Sequence, residues 1–221
     1  QTDYWNNIAI PGYVHTGYQS FANITSLVNP TNPNGTYTLA NVASPVGLDD
    51  AYGGWTIVIV YGNPALSQRN LTVFDGCAAV KSGSGNVDVA INGFLTPAAG
   101  PVSCELGTVV HDGDRSSFDG FEFKETSAPV FYDLATTSVP LNGAGDAWNS
   151  KISNKGIVTT NRNPAFQNTL GYDASVFDLP NAGNAQLGNS KTSGTVRFFS
   201  NNENVIATVL TTSISQYNPA F

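Results

Sequence analysis

Trp55-Thr56-Ile57-Val58-Ile59-Val60-Tyr61 is entered through Gly53-Gly54 and left through Gly62-Asn63-Pro64. β-branched and aromatic side chains fall on both faces of this strand-length run, so it reads as a central strand buried on both sides. A second stretch, Val87-Asp88-Val89-Ala90-Ile91-Asn92, instead places Val87, Val89 and Ile91 on one face and its polar side chains on the other. It reads as a half-buried strand. These two patterns, one central and one peripheral, point to stacked sheets.

Further strands are expected at 36–42, 70–80, 102–110, 120–123, 129–134, 156–160, 175–179, 195–199 and 205–214, all rich in Val, Ile, Thr, Phe and Tyr. Asn92-Gly93, Asp112-Gly113, Asn142-Gly143 and Asn163-Pro164 supply turn chemistry between them. Helical periodicity is confined to one possible turn at 24–28. The expectation is therefore an all-β chain with about a dozen strands, folded as a jelly-roll-like or elaborated two-sheet β-sandwich. One domain over residues 1–221 is expected, with a weak candidate boundary in the Gly- and Asn-rich stretch 141–150.

Only 11% of the 221 residues are charged, less than half the share of an ordinary soluble domain, so the polar surface is mostly neutral. This suits an extracellular β protein better than a cytosolic one. Nine Lys and Arg against a net charge of -7 argue against nucleic acid as a partner. No apolar run is long enough for a membrane helix. The sequence starts at Gln1 and contains no Met, from which secretion behind a removed signal peptide is expected.

In an oxidising compartment Cys77 and Cys104 are expected to form a disulfide, the alternative being two buried thiols. Two cysteines without a nearby His are too few for zinc. The polar run from His111 to Glu122 holds Asp112, Asp114 and Asp119 around Gly113, oxygen donors of the kind calcium requires. The competing reading is a turn whose Asp side chains cap backbone amides. His111 beside Asp112 lacks triad geometry, and no nucleophile-elbow or zinc-protease motif occurs. Glu105 and Glu122 could serve as a glycosidase pair only if the fold brought them together. No enzyme activity is expected.

Sequons occur at Asn23, Asn34 and Asn70, candidate N-glycan sites in a surface protein. Tyr4, Trp5, Tyr13, Tyr18 and Trp148 are aromatics that could stack on sugars. Tyr4, Trp5, Ile8 and Ile10 also lie in an apolar N-terminal segment that could act as an assembly strand, completing a neighbour's open sheet.

Three segments then suggest a family: Gly35-Thr36-Tyr37-Thr38-Leu39-Ala40-Asn41-Val42, Gly54 to Tyr61, and Arg69-Asn70-Leu71-Thr72-Val73-Phe74-Asp75-Gly76. With Gly93-Phe94, Gly100-Pro101-Val102, Gly113-Asp114-Arg115, Asn163-Pro164 and Leu170-Gly171-Tyr172-Asp173 in the same order, the chain from about residue 20 resembles a β-rich domain of large bacterial and archaeal surface proteins. That domain often precedes conserved Ig-like repeats. The two cysteines, and the absence of repeats after the last strand, depart from the pattern. The resemblance implies an adhesin or surface-fibre module, here a stand-alone subunit. The function expected is structural or adhesive, as a filament subunit exchanging strands with other copies or other surface proteins. The alternative is a carbohydrate-binding module, with calcium as a possible cofactor and a glycan as partner.

Overall fold

The computed structural model describes residues 6–9, 16–44, 46–47, 53–83, 85–115, 118–135 and 145–219; the side chains of 6–9, 16 and 17 are not described. Two stacked sheets form the body. The larger has six strands: β3 (Arg69–Lys81), β5 (Cys104–Gly113), β8 (Ile152–Asn154), β9 (Ile157–Val158), β10 (Gly171–Asp178) and β12 (Asn204–Ser215), in the order β3-β12-β5-β10-β8-β9. All its pairings are antiparallel except β10 with β8. The smaller sheet is antiparallel and contains β4 (Val87–Asn92), β6 (Asp119–Glu125), β7 (Tyr132–Asp133) and β11 (Ser193–Ser200), in the order β4-β11-β6-β7. A separate hairpin pairs β1 (Asn6–Ala9) with β2 (Thr16–Gln19). The chain is all-β, a two-sheet sandwich.

The alternation of side chains decides which face of each strand is buried. Phe121 and Phe123 of β6 and Val196 and Phe198 of β11 point into the sandwich, while Glu122, Lys124 and Arg197 point out. From the larger sheet Leu106, Val110, Phe177, Leu210 and Ile214 meet them. Trp148, fully buried, comes from a loop rather than a strand. Its ring stacks on Phe198 at 5.5 Å between centroids and 16° between planes, and Phe121 adds contacts to Phe177 and Phe198. The described part of the candidate boundary, 145–150, is therefore largely core, with Ala147, Trp148, Asn149 and Ser150 all buried.

The half-buried pattern read for residues 87–92 is the one observed: Ile91 is buried, Val87 and Val89 half-buried, Asp88, Ala90 and Asn92 exposed. Two expected strands are absent. Residues 36–42 are irregular and exposed, and Asn41 has φ near 60°, outside the extended region. Residues 55–61 also have no ladder partner among the described residues. Trp55 is 53% and Tyr61 67% exposed, so this run is no central strand. The reason is where its root is held. Gly54 packs against the rings of His111 and Tyr172, and the Thr56 hydroxyl shares a short hydrogen bond with the Tyr172 hydroxyl, which draws the segment over the outer face of the larger sheet instead of alongside an edge.

The expected disulfide is also absent: Cys77 is a half-buried and Cys104 a buried free thiol. Register explains why. Cys104 is level with Ile214, and Ile214 with Asn70, so Cys77 lies seven residues further along β3. At about 3.3 Å per residue that is roughly 23 Å, far beyond the ~7 Å Cα limit for a bridge. Burial pushes the thiols up to about 11 for Cys77 and about 12 for Cys104, which keeps both mostly in the thiol form at neutral pH. Excess reductant should leave the melting temperature unchanged, and thiol titration of the unfolded protein should count both cysteines per chain. A count of none would establish a bond.

Candidate functional site

The polar run singled out in the sequence lies at one end of the sandwich, where β5 ends and β6 begins. There the loop carrying Trp148 enters the core with its backbone amides, which burial would leave without partners. Asp119, at the first position of β6 and fully buried, accepts through Oδ1 from the N–H groups of Ala147 at 2.6 Å and Trp148 at 3.0 Å. Asp173 on β10, also fully buried, accepts from the N–H groups of Asn149 at 2.9 Å, Ser150 at 3.1 Å and Lys151 at 2.8 Å. Five consecutive amides are thus held by two carboxyl groups. Gly113 makes the approach possible, because a Cβ there would collide with the Asp173 carboxylate and the Trp148 backbone. The Trp148 indole N–H closes the arrangement on the Thr108 hydroxyl at 3.3 Å.

Burial governs the charge of this cluster. It raises Asp119, and the adjoining Glu203 carboxyl raises it further, against the pull of the Ala147 and Trp148 amides. Burial also lifts Asp173 to about 7, opposed by its three amides. Glu203 accepts in turn from the Asp114 N–H at 3.1 Å.

Asp112, Asp114 and Asp119 do not converge as a ligand set. Asp112 is half-buried, Asp114 exposed and Asp119 buried against the Trp148 loop. Among the described residues no group of three or more His, Cys, Asp and Glu side chains is arranged for a metal ion. Asp119 caps amides, as the competing turn reading had it. Asp173, the other half of the device, was not singled out in the sequence; its place two residues after Leu170-Gly171 gave no chemical signal.

The remaining candidates separate. Glu105 and Glu122 alternate with inward side chains on different sheets and so face away from each other, Glu105 bonded to Lys155 at 2.8 Å. Burial lowers the His111 imidazole, which meets Tyr172 edge to face at 5.3 Å. Trp148 is core and no sugar platform, whereas Tyr18 donates its hydroxyl to the Ala43 carbonyl at 2.8 Å. Tyr4, Trp5, Ile10 and Tyr13 lie outside the described residues; Ile8 is in β1. Asn23 and Asn34 are exposed, while Asn70 is half-buried, its amide donating to the Gly93 carbonyl at 3.4 Å and accepting from the Thr72 hydroxyl.

No protein-family model, curated protein or solved structure matches this chain.

The other unusual surface is the side of the sandwich formed by β3 and β4, the outermost strands of their sheets. β3 runs for 13 residues, and Leu71 and Val73 on it are exposed. The β1–β2 hairpin touches β3 without pairing with it. Phe74, Val87 and Val89 reach the core from this side but stay only partly covered. Arg69, the first charge on β3, is bonded back to Ser103 and Ser213 and does not guard the edge.

The carboxyl pair makes the pH response of stability diagnostic. A carboxyl raised by folding stabilises fully below its unfolded value near 4, and that stabilisation is lost as pH rises through the native value. Asp119→Asn retains an acceptor for the two amides but has no proton to lose. Relative to wild type it should gain stability from pH 4 to 7.5, by up to about 1.4 kcal/mol per pH unit, in urea unfolding. The opposite response of His111, lowered by burial, is common to both proteins and cancels. A wild-type minus variant difference that stays constant with pH would contradict a raised Asp119.

Proposed function

We propose that this chain is an extracellular structural or adhesive protein of a cell surface that associates with further copies of itself by adding strands at an open sheet edge. The observation that carries the reading is β3: thirteen residues at the border of a six-stranded sheet, with exposed apolar side chains and, among the described residues, no strand paired along its free side. Long, weakly guarded edges of this kind are templates for pairing with another chain, and monomeric proteins usually blunt them with charge, proline or a covering loop. Here the middle of β3 offers Asp75 as its single charge. The sparsely charged surface and the ordered resemblance to surface-protein segments favour the same reading.

Strand addition needs neither catalysis nor a cofactor. Its partners are copies of this chain or other surface proteins, and nucleic acid has no part in it. Purified protein should form ordered polymers by electron microscopy, with light scattering that grows with concentration. A monodisperse monomer up to millimolar concentration would sink the reading.

A surface location also makes the exposed sequons accessible. Peptide mapping of native material should find N-glycan on Asn23 and Asn34 before Asn70, whose carboxamide is engaged across the β3–β4 side. Modification of Asn70 alone would contradict that order.

A further inference from the structure

We infer that Trp55–Tyr61 is the strand donated in this assembly, and that it pairs with the free edge of β3 in a second copy. The inference rests on the reading of the chain as self-associating and names the two surfaces involved. Four observations lead to it. The segment is built entirely of residues that favour extended backbone and bears no charge. Among the described residues none of its backbone groups is hydrogen-bonded, and its one bond is that of the Thr56 hydroxyl. Val58, Ile59, Val60 and Tyr61 are exposed. Phe74, Val87 and Val89, beside the free edge of β3, are the apolar side chains an added strand would cover.

Geometry decides between a neighbour and the segment's own edge. Its root is held at Gly54 and Thr56 by His111 on β5 and Tyr172 on β10. β10 is three strand spacings from β3, about 14 Å, so pairing with its own β3 from Trp55 onward would forfeit that anchor. The far half, residues 58–61, is exposed and, among the described residues, without a backbone partner, so it is open to another molecule. Each copy then carries one donor and one acceptor at different places, a heterologous contact that repeats into an open chain instead of closing as a symmetric pair. The six-stranded sheet gains a seventh strand, and the inward side of that strand finishes the half-covered flank.

Cys77 on β3 provides the test. Cysteine is introduced singly at each of residues 55–61, the protein is allowed to assemble, and copper–phenanthroline is added as oxidant before denaturing, non-reducing electrophoresis. Cross-linking to Cys77 should give a ladder of covalent oligomers. Val58→Pro, which removes an N–H from the donated strand, should lower polymer yield at least about tenfold while leaving the monomer's melting temperature unchanged. An intrachain cross-link, a ladder ending at two, or no cross-link at any position in filaments that do form would overturn the assignment and leave self-assembly standing. So would a Val58→Pro protein that polymerises normally while deletion of residues 1–11 abolishes polymers. Wild-type protein that never polymerises would remove the functional reading and this inference together.

Discussion

Two buried carboxyl groups anchor the loop that closes one end of the sandwich. Asp119 and Asp173 receive the consecutive amides of residues 147–151, and without them the loop would bring five unbonded N–H groups into an apolar interior. Each such group would cost about 1–3 kcal/mol, so the pair is worth more to the fold than any one hydrophobic contact. With the amides satisfied, Trp148 can lie flat on Phe198 and fill the space between the sheets. Burial raises both carboxyls, Asp119 further through its neighbour Glu203 and Asp173 to about 7, so each carries less charge into the interior than a free carboxylate would.

The consequences run outward asymmetrically. The larger sheet tapers on one side into β8 and β9, three and two residues long, and the smaller into the two-residue β7. Very short border strands offer little to a passing chain. On the opposite side the sheets stop abruptly at β3 and β4, with Phe74, Val87 and Val89 half covered. A sandwich finished on one flank and unfinished on the other, joined to an unpaired strand-forming segment, has the parts of a repeating contact in one chain.

How far the sequence could be read depended on whether a residue's partner was local. Val87 to Asn92 and Gly120 to Phe123 show their buried face in their own alternation, because a strand half in water records the core in every second side chain. Trp55 to Tyr61 and residues 36–42 show strand propensity equally well, yet propensity sets backbone preference only, and a ladder requires an edge within reach. The hairpin strand Thr16–Gln19 and β8 at Ile152–Asn154 gave too short a pattern to be seen. Asp119 was legible as an amide cap within an acidic turn, whereas its counterpart Asp173 stands far off in sequence.

The sequence by itself determined an all-β chain, its turns, its sparsely charged surface and most of the strands of two stacked sheets, since these follow from side-chain periodicity and local backbone preference. Only the tertiary structure decided that Cys77 and Cys104 stay apart, that Asp119 turns inward while Asp114 remains in solvent, and that the most strand-like segment of the chain has no ladder partner among the described residues. Each of these depends on register and on which surfaces meet, and such long-range pairings leave no mark on the residues they join.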